Sequence, residues 1–142
     1  VALRRTRAAE IALARSEEDY RRLVDLPAQA NWICDPDGNF LFVSKRWTEW
    51  TGTTAADWMK VIHQDDRAAL TQAWHMTVTQ GSPYDLEIRV RVRSGAFRWM
   101  RTRAFPQRDS GGRLVRWIGQ TEDIHDRHLA EEQLRQTATL LE

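Results

Sequence analysis

One cysteine, four histidines and two close pairs of aspartates are the side chains in this sequence that could carry chemistry. Cys34 has no second thiol, so it forms no internal disulfide and founds no cysteine-based zinc site. His125 and His128 stand three residues apart, a spacing that puts two imidazoles on one helix face and can hold a metal. Asp126 and Glu132 do not clearly share that face, so no third ligand is evident and no metal is expected. Asp35 with Asp37, and Asp65 with Asp66, could work as acid and base pairs. Turn and helix-capping roles account for both. The sequence carries no Gly-rich phosphate loop and no nucleophile motif. No catalytic residue is expected, and the chain by itself is not expected to be an enzyme.

The elements that would position these groups follow from pattern. Residues 1–26 are rich in Ala, Leu, Arg and Glu and free of Gly and Pro, which predicts a helix that Pro27 ends. Asp35-Pro36-Asp37-Gly38 predicts a tight turn, with strands on either side. Ser44 and Gly52 bracket a short helix, and Thr54 with Asp57 forms a second capping pattern. Asp65 is expected to cap a longer helix over about 66–80, with Leu70, Ala73, Trp74, Thr77 and Val78 as its buried stripe. From Tyr84 the apolar period becomes two. Leu86, Ile88 and Val90 then share one face, as do Met100, Thr102 and Ala104, and Val115, Trp117, Gly119 and Thr121. A helix over 125–142 closes the chain. The order predicts an α+β domain: a five-stranded antiparallel sheet with helices on one face, flanked by N- and C-terminal connector helices.

Composition narrows the function classes. At 42% hydrophobic and 29% charged the chain is ordinary globular material, not a disordered one. No apolar run reaches the roughly 18 residues of a membrane span. The balance of 21 basic and 20 acidic residues gives no net pull toward a polyanion. Nine arginines between Arg89 and Arg116 crowd one stretch, but they alternate with apolar residues and read as the solvated side of a sheet, so no nucleic acid is expected. The single cysteine suits a reducing cytoplasm, although a parent protein could be membrane-attached. The missing initiator Met suggests a piece of a longer protein. Ala-Glu-x-x-Leu recurs at residues 9–13 and 130–134, as expected of two connector helices of one kind.

Several local patterns, in order, resemble the PAS domain family, specifically the sensory modules of bacterial signalling proteins. Asp35-Pro36-Asp37-Gly38 with Phe42-Val43-Ser44 resembles its first hairpin, and Trp50-Thr51-Gly52 the step that follows. His63-Gln64-Asp65-Asp66-Arg67 resembles the "HPDDR" start of the long helix, with Gln64 in place of Pro. Gly95-x-x-Arg98-Trp99, Trp117-Ile118-Gly119 and Asp123-Ile124-His125 complete the set, His125 standing where the family's C-terminal (PAC-type) motif has Thr. The resemblance covers about 17–128. It implies a flanking helix over 1–26, a PAS sensor domain over 27–124 and a signalling helix over 125–142.

The resemblance implies a cavity between sheet and helices. The candidate lining is Trp32, Cys34, Leu70, Trp74, Ile88, Val90, Met100, Thr102, Trp117, Gly119 and Thr121. Thr102 and Thr121 are the polar groups expected there, and the three indoles are expected to fill most of the space. The short stretch from Gly52 to His63 implies a smaller or more open pocket than usual. Flavin is not expected, because the light-sensing branch carries its cysteine on a helix whereas Cys34 is on a strand. Haem is not expected either: His75 follows Trp74, off the buried stripe, and His63 reads as a loop or capping residue. A small ligand of unknown identity remains open. Asp123, Ile124 and His125 are the expected relay into the exit helix, with Asp123 anchored by an arginine or a backbone N–H. The resemblance further implies a homodimer through the flanking helices and the outer sheet face. Trp99 and Phe105 of that face would be covered by Tyr20, Leu23, Val24 and Leu26. An output domain in the same polypeptide is implied, a histidine kinase first and a diguanylate cyclase or phosphodiesterase second; a ligand-free dimerisation spacer is the alternative.

Overall fold

The computed structural model describes residues 29–141. The helix expected over 1–26, its Tyr20, Leu23, Val24 and Leu26 face and the repeat at 9–13 lie outside the described residues. Strands β1 (Gln29–Cys34) and β2 (Phe40–Val43) form a hairpin. Helix α1 (Lys45–Thr51), a 3₁₀ segment (Ala55–Val61) and helix α2 (Gln64–Gln80) follow. Strands β3 (Tyr84–Arg91), β4 (Phe97–Arg108) and β5 (Leu114–Asp123) make a meander, and helix α3 (His125–Leu141) ends the chain. The sheet order is β2-β1-β5-β4-β3, every neighbour antiparallel. The last strand is therefore the central one. It joins the meander to the first hairpin by pairing with β1 from Gln29↔Glu122 to Cys34↔Trp117. Among the described residues no helix is long and apolar enough to cross a membrane.

Period-two alternation places the core on one face. Tyr84, Ile88 and Val90, then Met100, Thr102 and Ala104, then Trp117 and Thr121 are all buried. Val115, expected on this face, is instead the extra residue of a β-bulge opposite Gln107 and Arg108, so Leu114 packs inward in its place and Val115 is 38% exposed. The first hairpin turns as its residues demand. Asp35 Oδ1 accepts from the backbone N–H groups of Asp37 (3.0 Å) and Asn39 (2.9 Å), and Gly38 adopts φ +92°. Ser44 and Thr54 occupy helix-start positions without capping through their side chains. Ser44 Oγ instead accepts from Asn31 N–H on β1 at 3.2 Å, tying α1 to the sheet.

The start of α2 differs from the expected cap at Asp65. The helix begins at Gln64, and His63 is the capping residue, its Nδ1 accepting from Asp65 N–H at 3.1 Å. The reason lies across the layer. His63 N–H donates to the Arg89 carbonyl of β3 at 2.8 Å, which fixes the turn before the helix. Asp66, one residue beyond Asp65, then faces Arg89: its Oδ2 accepts from the Arg89 backbone N–H (2.7 Å) and Nε (3.0 Å), and its Oδ1 from Nη2 (2.7 Å). These hydrogen bonds, led by the one from the Arg89 side chain, hold the Asp66 carboxyl below the usual carboxylate range. One carboxylate thus binds helix, strand backbone and guanidinium together.

Asp66→Asn should lower stability at pH 7 by about 1 kcal/mol, a charge-assisted bond discounted for partial solvent exposure. The folded-state value is depressed, so this stabilisation is full above the unfolded carboxyl value of about 3.9 and is lost as pH falls through the folded value. Chemical denaturation of both proteins from pH 7 to pH 3 should show the two curves converging at the acid end.

Candidate functional site

Between the sheet and the helices lies a cavity of about 330 Å³. That is the lower end of the range for small-molecule sites. The sheet contributes Ala30, Asn31 and Trp32 of β1, Tyr84 and Ile88 of β3, Thr102 of β4 and Thr121 of β5. Trp47, Ala55, Trp58, Ile62, Leu70 and Trp74 form the helical wall, and Gly38, Asn39, Phe40 and Val43 close one side. No side chain in this lining carries a formal charge.

Aromatic rings shape the space. Trp32 meets Trp74 (5.5 Å between centroids), Tyr84 (6.2 Å) and Phe40 (5.8 Å), each edge-to-face. Trp74 meets Tyr84 at 5.0 Å, and Phe40 meets Trp58 at 5.8 Å. Edge-to-face contact sets neighbouring rings roughly at right angles, so they enclose a volume instead of collapsing into a stack. Trp32 can take its place only because residue 119 is glycine. The two residues oppose each other on β1 and β5, and a Cβ at Gly119 would fall inside the Trp32 indole. At Gly38 the fit is less close: a Cβ there would stand 3.0 Å from Trp74 Nε1.

A line of hydrogen bonds crosses one wall. Trp32 Nε1–H donates to Thr121 Oγ1 at 3.2 Å, and the Thr121 hydroxyl donates to Thr102 Oγ1 at 3.2 Å. Burial pushes the Tyr84 phenol well above its ordinary range, with the neighbouring Thr102 hydroxyl acting in the opposite direction. Tyr84 therefore keeps its proton at any physiological pH.

Of the candidate lining, Trp32, Leu70, Trp74, Ile88, Thr102 and Thr121 meet at the cavity. Cys34, Val90, Met100, Trp117 and Gly119 do not. Val90 and Met100 pack in an apolar cluster with Trp47, Val61 and Ile62, nearer the α2 start. Cys34 and Trp117 pack with Ala104 at the opposite end, and Gly119 is hidden beneath Trp32. Trp117 packs edge-on against Trp74 at 6.0 Å, behind the lining, and Trp32 lies over Gly119, so the three indoles leave a cavity where they were expected to fill most of the space. Burial, then the nearby Asp35 charge, pushes the Cys34 thiol up to about 12, which leaves it neutral and unreactive. His75 is exposed on α2. Tyr84, Trp58 and Phe40 were not among the candidates; the parity of β3 continued one step back from Leu86 points to Tyr84.

A second constellation holds the exit helix. Asp123 Oδ2 accepts from Arg98 Nε (2.8 Å), and its Oδ1 accepts from His125 N–H (3.0 Å), so the expected anchor has both kinds of partner. Asp123 in turn raises the Arg98 guanidinium further above its ordinary value. Ile124 is buried and its N–H donates to the Trp99 carbonyl (3.0 Å), while the Trp99 N–H donates to His125 Nδ1 (3.1 Å). His125 thus supplies the acceptor at the position where the related motif has Thr. His128 stacks on Trp99 at 4.3 Å and lies 3.6 Å from Glu87. Arg89 covers the same indole at 5.1 Å. The two histidines are engaged in separate contacts, and His128 of α3 and Arg89 of β3 both lie against the Trp99 indole. Phe105 remains half exposed.

The sheet-lined pocket and the anchor of the C-terminal helix thus lie on the same two strands, β4 and β5. The chain belongs to the PAS fold family, whose pattern matches residues 40–121. It is 37% identical over 136 residues to the uncharacterized protein y4lL of Sinorhizobium fredii, a match covering 92% of this chain and 16% of that protein. It is 32% identical over 79 residues to the peroxide stress-activated histidine kinase mak1 of Schizosaccharomyces pombe, covering 56% of this chain and 5% of the kinase. The chain thus spans only a small part of the length of these relatives. Among solved structures, a sensory box histidine kinase/response regulator from Burkholderia thailandensis aligns with 29% identity and a TM-score of 0.64, over 86% of this chain and 96% of the other. The N-terminal domain of a diguanylate cyclase with PAS/PAC sensor from Marinobacter aquaeolei shares the fold at 20% identity and a TM-score of 0.60, over 70% and 98%.

Gly119→Ala should force the Trp32 indole off β5 and into the cavity. Overpacking of this kind costs about 1–3 kcal/mol. Urea denaturation should register the loss, and near-UV circular dichroism should register the changed tryptophan environment.

Proposed function

We propose that this module senses occupancy of the sheet-lined cavity and relays it through α3 to an output domain of the same polypeptide. One observation carries the reading: cavity and exit junction lie on the same two strands. Thr121 lines the cavity and Asp123 anchors the helix two residues later on β5. Their partners on β4 are Thr102 and Met100, and Arg98 follows two residues before Met100. Two strand residues span about 7 Å, so a shift at the hydroxyls reaches the Arg98–Asp123 pair without crossing a loop. The junction is a small set of directional bonds, the kind of contact that has discrete made and broken arrangements.

A histidine kinase is the favoured output, on the strength of the Burkholderia likeness at 29% and the yeast kinase match at 32%; a diguanylate cyclase is the second. The module is proposed to work on the cytoplasmic side, which a buried free thiol suits. Neither flavin nor haem is proposed for the cavity. Cys34 is on β1 outside the lining, and His75 is exposed on α2 outside it, so the lining supplies neither a thiol for an adduct nor an axial ligand.

The module is proposed to act as a homodimer. Phe42, Ile33, Ile118 and Phe105 are register partners in a row across β2, β1, β5 and β4 on the outer face. Phe42, Ile118 and Phe105 are 47%, 38% and 50% exposed. On α3, Leu129 and Leu134 are exposed too and offer an apolar seam. Ile118→Glu, at the middle of the row, should shift sedimentation from dimer toward monomer while leaving the melting temperature within a few degrees. A wild-type chain that sediments as a monomer would remove the dimer from the reading.

The relay itself is testable by amide exchange on the 142-residue chain. Arg98→Gln should raise exchange at the first turn of α3, which marks the junction. Thr121→Val, which changes only the cavity wall, should raise exchange at Ile124, His125 and His128 as well. Wild-type exchange there in Thr121→Val would leave cavity and helix uncoupled.

A further inference from the structure

We propose that the cavity takes a neutral, flat aromatic molecule presenting one hydrogen-bond acceptor, such as an aryl ketone, to the Tyr84–Thr102 end. The proposal rests on the cavity being the sensory site and adds the chemistry of its ligand.

Charge comes first. The lining has no Arg, Lys, His, Asp or Glu, so an ionised ligand would be stripped of water with no counter-charge. Size comes next. At a water's share of about 30 Å³, the cavity of about 330 Å³ has room for roughly ten or more non-hydrogen atoms, a bicyclic ring system. The walls then favour an aromatic body. Trp32, Trp58, Trp74, Phe40 and Tyr84 offer ring edges and faces set nearly at right angles to one another.

The acceptor follows from counting protons along the hydrogen-bond line. An indole N–H only donates, and each hydroxyl carries one proton. Trp32 spends its proton on Thr121 and Thr121 spends its own on Thr102, while the hydroxyls of Thr102 and Tyr84 bring one proton each. Trp32 can only feed protons in, so even a bond between the Thr102 and Tyr84 hydroxyls would leave one proton unused at that end. Both residues line the cavity. Burial keeps the phenol protonated, so this donor persists at all physiological pH. Trp47, on the helical wall, adds a buried indole N–H without a partner, so the site is rich in donors. Asn31 and Asn39 carry both donors and acceptors and do not alter that balance. Aromatic walls also attract quaternary ammonium ions. Here the unused proton presents its positive end, and no carboxylate stands by to pair with a cation.

The test is calorimetric titration of the 142-residue chain with four probes: 2-acetylnaphthalene, naphthalene, 2-naphthoate and choline. The ketone is expected to bind at least about tenfold more tightly than naphthalene, the worth of one well-made hydrogen bond. 2-Naphthoate and choline are expected to show no binding at millimolar concentration. Thr102→Val interrupts the line and should abolish the ketone's advantage while leaving naphthalene unchanged. Tyr84→Phe serves the same purpose if Thr102→Val does not fold, as judged by its melting curve. Equal binding of ketone and naphthalene would overturn the acceptor while leaving the cavity as a binding site. Preference for naphthoate or choline would overturn neutrality. Binding of none of the four would overturn the ligand class. The relay is judged separately, since amide exchange in Thr121→Val reads coupling without any ligand.

Discussion

The close approach of Trp32 to Gly119 is the constraint on which the site depends. Strand β5 lies between β1 and β4, and a side chain at its midpoint would project into the cavity floor. With none there, the Trp32 indole lies on the strand. That pose does three things at once. It directs the indole N–H at Thr121, it offers ring edges to Trp74 and Tyr84, and it leaves the middle of the layer open. A tryptophan standing upright would fill the volume that a ligand would otherwise take. The polar line across the wall is therefore a consequence of one missing Cβ, and so is the cavity.

The same two strands serve two purposes that need opposite kinds of interaction. At the cavity end the β4–β5 pair presents hydroxyls on an apolar wall, where dispersion and burial dominate and small changes in volume are felt. At the other end the pair presents a guanidinium, a carboxylate and the backbone N–H and carbonyl of Trp99 to the start of α3, where geometry is directional. Charge is partitioned accordingly. The ion pairs Arg89–Asp66, Arg98–Asp123 and Arg101–Asp85 lie outside the cavity, at the helix junctions and the outer face. The arginine-rich stretch thus proves to be largely structural at those three positions.

How much of this could be read from the sequence depends on the interaction concerned. Alternation in β3, β4 and β5 is a backbone property with a period of two, so Ile88, Thr102, Thr121 and their neighbours fell on the correct face. The Asp35-to-Gly38 turn was legible for the same reason, being set by local chemistry. Which inward residues reach the cavity was not legible. Cys34 and Thr121 are both inward, yet one belongs to a packed cluster and the other to the wall, and only tertiary placement separates them. Tyr84 escaped notice because it opens β3 directly after Gly81-Ser82-Pro83, where alternation has not yet declared itself. The helix start was misplaced because Asp66 had a partner, Arg89, that lies 23 residues away in sequence. The stacking of His128 on Trp99 was not legible either, because it depends on a helix docking angle that no local pattern encodes.

A cavity without charge limits how a signal could leave it. A charged ligand could act at a distance through its field; a neutral one acts only by contact, through the groups it displaces or holds. In the proposed reading those groups are the ring edges and the last hydroxyl of the line. The rings lead into the core, where packing spreads any displacement over many neighbours. The hydroxyls lead along β4 and β5, where backbone hydrogen bonds transmit a register or twist change with little loss. Thr102 and Thr121 are themselves register partners, so a ligand that tightens the line pulls on both strands at the same level. The bonds next encountered along that ladder are those of Asp123 with Arg98 and His125, and each has a length that a small strand movement would alter. A junction built from a few directional bonds, and not from a broad apolar interface, is what makes such a movement readable by the helix that follows.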